Sequence, residues 1–164
     1  MGGKLERYSY ETGMVKTPSI VSYGLKPLIK IGDDNDSLYS LWNYPDKDKL
    51  KRAAEDKNYD LKKEYVSFCA ETIRNLFIGV KANMHSDDWK LYDPSDKKGL
   101  LSITFINGFL NLLRFIIERD RKLYTYQEYI NLLKGIDSFP FRDYKTSHYR
   151  KMGEDLYNKV FKSK

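Results

Sequence analysis

Only one cysteine, two histidines and five prolines occur in these 164 residues, and each scarcity closes off a class of explanation. A lone Cys69 excludes an intramolecular disulfide and fits a reducing cytoplasm; on the apolar face of a helix it reads as a small buried hydrophobe. His85 lies near Asp87, Asp88 and Asp93, but their spacing matches no compact metal motif, so they read as solvated loop residues. The loop at 32–36 begins an alternation, Asp33, Asn35 and then Ser37, like that of a calcium loop, yet it has no glycine at the turn position and no closing glutamate. The N-terminus lacks the apolar run of a secretory signal. We find no nucleophile–base pair, phosphate loop, internal repeat or low-complexity tract, and nothing calls for a cofactor.

What the chain does have is one strongly apolar run, 100–117, crossed by a polar stripe. Thr104, Asn107, Asn111, Arg114 and Glu118 follow each other at spacings of three and four, which puts them on one face of a helix. Asn107, Asn111 and Arg114 would each be costly in lipid, so the run predicts the centre of a soluble bundle and not a membrane span. Its apolar surface is wider than a surface helix needs, so several helices, or another chain, must cover it. The stripe is then either a solvated edge or a buried network that fixes helix register.

Apolar periodicity gives helices nearly throughout. Thr17-Pro18-Ser19 reads as a cap with proline at the first helical position, and Pro27 predicts a kink or break. A charged helix is expected over 46–56 and a longer amphipathic one over 60–82. Thr125 and Glu128 form a capping box for a helix ending near Gly135, Phe139-Pro140-Phe141 is a turn that plugs the core, and a last helix spans about 146–161. Strand patterning is scarce. The expectation is therefore an all-α, compact bundle of about five to six helices around a central hydrophobic helix at about 98–122, with 1–16 an N-terminal arm and 17–164 a single domain.

Charge is uneven. From Arg142 to Lys164, seven cations oppose three carboxylates, a balance of +4 in a chain whose total is +6. Lys145, Tyr149, Arg150, Lys151 and Lys159 are the candidate contacts for nucleic acid or an acidic partner, tyrosines interleaving with cations as on surfaces that bind phosphates and stack bases. An ordinary solvated helix with a basic tail reads the same way. Arg142 and His148, five residues apart, also fall in the Arg-(four to six)-His window of the HEPN ribonucleases, a helical family whose paired sites cleave RNA. That resemblance implies a homodimeric ribonuclease, although a catalytic pair should share one helical segment, and Arg142 sits beside Pro140.

The order Leu25-Lys26-Pro27-Leu28, long amphipathic helix, lone Trp89, Leu101-Ser102-Ile103-Thr104 leading to Asn107-Gly108, then Ser147-His148-Tyr149-Arg150, resembles the C-terminal helical region of DGQHR-domain proteins over about 17–162. That family includes DndB-type proteins associated with bacterial DNA phosphorothioation, and its name-giving motif belongs to an N-terminal ParB-like domain. No Asp-Gly-Gln-His-Arg occurs here, so no active-site residue transfers. The resemblance implies a non-catalytic interaction module of a bacterial or phage DNA-modification or defence system. It would bind a partner protein, a second copy of itself, or DNA or RNA. A structural subunit or protein inhibitor is the remaining alternative.

Overall fold

Ser102 fixes where the apolar run becomes helix. Its backbone is extended and its hydroxyl accepts the Phe105 amide at 3.1 Å, so the first turn is capped and the helix starts at Ile103, not near 98. The other end closes where Arg121 turns left-handed at φ 51°. The computed structural model describes residues 17–52 and 58–162. Among them lie α1 (Thr17–Ile20), α2 (Lys26–Ile29), α3 (Tyr59–Ala82), the central α4 (Ile103–Asp120), α5 (Tyr126–Leu132) and α6 (Tyr149–Tyr157), joined by 3-10 and π turns. The protein is all-α. The only β pairings among these residues are two isolated bridges, Leu91 with Leu101 and Asp93 with Lys98. The expected arm, 1–16, lies outside the described residues.

Twelve of the eighteen residues of α4 are buried, because the other helices pack around it. α6 comes closest. A Cβ at Gly108 would strike the Met152 side chain, and one at Gly153 would come within 2.6 Å of the Asn111 Cβ and 2.8 Å of the Leu112 backbone nitrogen. Each helix thus receives its neighbour at a glycine, and dispersion contacts accumulate along the seam. α3 meets α5 similarly, with Tyr129 over Gly79, and Asn83 donates across the joint to the Ile130 carbonyl at 3.0 Å. Cys69 is buried on α3, and burial pushes its thiol up to about 11.

Pro27 does not break the first helix. α1 and α2 are continuous through a π turn, Val21–Leu25, closed by the Lys26 amide donating to the Val21 carbonyl. Proline cannot donate to the ladder and crowds the carbonyl four residues before it; the wider turn just upstream absorbs that conflict.

The charged helix expected over 46–56 does not form over its described part, 46–52. Asp46 is left-handed at φ 60° and only a 3-10 turn, Lys47–Lys51, follows; 53–57 lie outside the described residues. Tyr39 gathers the segment instead: its hydroxyl donates toward the Lys47 carbonyl and the Asp48 carboxylate, both at 3.0 Å, while Lys47 Nζ donates to the Tyr39 carbonyl at 3.0 Å. Among the described residues of this segment Leu50 alone is buried, so 46–52 present no apolar stripe to hold an α-helix on the core. The last helix also starts later than expected, at Tyr149, and continues beyond Tyr157 as a π turn to Lys162. The capping box at Thr125 is present, and Phe139 and Phe141 are buried.

Candidate functional site

The polar stripe of α4 is a buried network. Thr104, Asn107 and Asn111 are buried, and Arg114 is about four-fifths covered, its guanidinium donating to Asp36 at 2.6 Å. Asn111 donates to the Asn107 carbonyl at 2.7 Å and accepts from Arg114 at 3.4 Å, while Asn107 donates to the Ser19 carbonyl at 3.4 Å. Glu118 alone of the five is exposed. The stripe thus ties α1 and the 32–37 loop to the central helix. In that loop Asp33 pairs with Lys51 and Asp34 with Lys30, both at 2.7 Å, so its carboxylates face cations. His85 reaches Asp137 at 3.4 Å and Asp88 reaches Arg142 at 3.7 Å; among the described residues no cluster of three His, Cys, Asp or Glu side chains is arranged to hold a metal ion.

Two surface features are candidates for binding, and they adjoin at Tyr144 and Thr146. The first is the basic surface around α6. Met152, Gly153, Leu156 and Tyr157 turn to the core, which leaves Arg150 and Lys151 outward and Lys159 exposed on the following turn, with Lys145 exposed before the helix. Arg150 lies over the Phe115 ring at 5.1 Å, and Arg119 packs on the same ring at 4.6 Å. Tyr149 rests against Tyr23, itself 57% exposed, with ring centroids 5.9 Å apart. The two carboxylates on α6 itself are engaged: Glu154 takes Arg119 at 3.0 Å, while Asp155 takes the Tyr144 hydroxyl at 2.6 Å and Lys151 at 3.3 Å.

The second feature is a cleft of about 450 Å³ at the N-terminal end of α4. One wall is the loop 88–101, held shut by the Tyr92 amide on the Leu101 carbonyl (3.1 Å) and the Leu100 amide on the Asp88 carbonyl (2.8 Å). At its tip Asp93 accepts the Ser95 amide and hydroxyl at 2.9 and 2.7 Å, bonds that hold its carboxyl below the usual range. Gly99, at φ 79°, closes the loop; a Cβ there would collide with the Leu91 carbonyl, so only glycine fits. The other wall is the 3-10 turn Phe141–Asp143, whose Arg142 donates to the Gly99 carbonyl at 3.2 Å and bridges the walls. Tyr144 stacks on Phe139 at 5.6 Å, and burial together with Asp155 raises its hydroxyl pKa. Ser102, Thr104 and Thr146 contribute hydroxyls, and the charged lining residues, Lys97 and Arg142, are both cationic.

Arg142 and His148 do not share a helical segment. Arg142 sits in the 3-10 turn and His148 is the residue before α6, its side chain exposed. Of the candidate contacts, Tyr149, Arg150 and Lys151 share the first turn of α6, Lys145 lies four residues before Tyr149, and Lys159 is two turns further on. Sequence reasoning missed Tyr92 and Lys97, and placed Tyr144 only among the tyrosines interleaved with the C-terminal cations, not in a cleft. The signal was Gly99 directly after Lys97-Lys98, a tight turn ahead of the Ser102 cap.

Among the described residues no helix is long and apolar enough to cross a membrane. No family model, curated protein or solved structure matches this chain.

Proposed function

We propose that this protein is a non-catalytic helical module that binds single-stranded nucleic acid through the surface of α6. The observation that carries the reading is the asymmetry of charge: Glu154 and Asp155 are engaged by Arg119, Tyr144 and Lys151, whereas Arg150 and Lys145 are exposed and make no ion pair among the described residues. Phosphates are the natural counter-charge for such a surface, and the exposed Tyr23 face beside Tyr149 offers a base a platform. The resemblance to the helical region of DGQHR-domain proteins supports placing the module in a bacterial or phage DNA-modification or defence system.

Replacing Arg150 and Lys151 together with glutamate is expected to abolish binding of a single-stranded oligonucleotide, read by fluorescence anisotropy, with helix content by circular dichroism unchanged. Unchanged affinity at moderate salt overturns the assignment, and so does a partner protein retained by this surface with no nucleic acid bound.

A further inference from the structure

We propose that the cleft between the 88–101 loop and the Phe141–Asp143 turn binds a nucleoside monophosphate, either free or as the phosphorylated end of a single strand. The strand-end form rests on the function proposed above; the free form does not. The volume, about 450 Å³, falls within the roughly 300–1,000 Å³ of small-molecule sites and suits one nucleotide. Its chemistry is divided as a nucleotide's is. Tyr92, Tyr144, Phe105 and Phe141 line it with aromatic surface for a base, while Lys97 and Arg142, the latter over the Tyr92 ring at 6.0 Å, supply positive charge.

Asp88 pairs with Arg142 at 3.7 Å and offsets part of its charge, so the lining cation that makes no ion pair among the described residues is Lys97. Arg142 donates Nη1 to the Gly99 carbonyl and sets Nη2 3.7 Å from Asp88; the Asp88 contact is longer than a hydrogen bond, so the guanidinium keeps donors for an anion that Lys97 draws between the walls. The loop needs no closing movement to form the site, because its backbone bonds and Gly99 already fix it. Continuity with α6 supports the strand-end form: Thr146 lines the cleft and follows Lys145 directly, so a strand lying on the basic surface has its end at the cleft mouth.

The test compares one single-stranded oligonucleotide carrying a 5′-phosphate, a 3′-phosphate or hydroxyl ends, together with free adenosine and uridine monophosphate, in the full-length protein by anisotropy and calorimetry. One phosphorylated end is expected to bind about tenfold tighter than the hydroxyl form. Lys97→Asn, asparagine being a residue that tolerates the observed φ of 57°, removes that advantage, whereas Arg150→Glu with Lys151→Glu abolishes binding of all three oligonucleotides alike. Saturable, Lys97-dependent binding of a free monophosphate without any oligonucleotide binding supports the cleft site and rejects the surface reading. Equal affinity for phosphorylated and hydroxyl ends, with no binding of free monophosphate, overturns the proposal.

Discussion

Asp36 and Arg114 show how much one pair can decide. Their side chains are 20% and 19% exposed and 2.6 Å apart, and Arg114 Nε has no partner among the described residues, so the guanidinium depends on the carboxylate and on Asn111. Removing one member of a largely buried pair strands the other charge, which costs more than removing both. Asp36→Ala is expected to destabilise the fold by about 2–4 kcal/mol in urea unfolding, and adding Arg114→Met to recover about half of that loss. Equal stability of the single and double variants would contradict this account. The spacing of the stripe was legible in the sequence, because a period of three and four needs no knowledge of neighbours. Its burial was not, since the Asp36 partner is brought in from 78 residues away.

At the scale of elements, the glycine contacts between α4 and α6 set the packing distance. An alanine in place of glycine inside a helix ordinarily gains about 1 kcal/mol. Gly153→Ala is expected to lose stability instead, by about 1–3 kcal/mol, because its Cβ would meet the Asn111 Cβ at 2.6 Å and a backbone nitrogen at 2.8 Å. Gly108→Ala is expected to cost less, since the atom it meets is the sulfur of the flexible Met152 side chain. Thermal unfolding of the two variants ranks them, and the reverse order would contradict the packing described. The long helix and the Thr125 capping box could be read from local signals. The π turn at 21–25 could not, because its register reflects Gly24 pressed against Asn107 and Leu110. The late start of α6 was hidden for a related reason: the Thr146 carbonyl accepts the Thr104 hydroxyl at 3.4 Å, and Tyr144 is tied to Asp155, so tertiary bonds hold 144–146 outside the helix. The cleft escaped for the same cause, its two walls lying some forty residues apart in sequence with no shared period.

For the whole molecule, the proposed binding surfaces are the cleft at the N-terminal end of α4 and the outward face of α6 beside it, while the polar network, the glycine seams and the aromatic core hold the frame. α6 joins these roles, turning Met152 and Leu156 inward and Arg150 and Lys151 outward. The reading of this surface as a nucleic-acid contact is tested most directly by the salt dependence of oligonucleotide affinity. Single strands release counterions with a log–log slope of about −0.7 per phosphate neutralised. Engagement of Lys145, Arg150, Lys151 and Lys159 predicts a slope approaching about −2.8 for the wild type, and Arg150→Gln with Lys151→Gln a slope flatter by about 1.4. A slope near zero, or one left unchanged by the double substitution, would contradict the claim that α6 is the nucleic-acid surface of this protein.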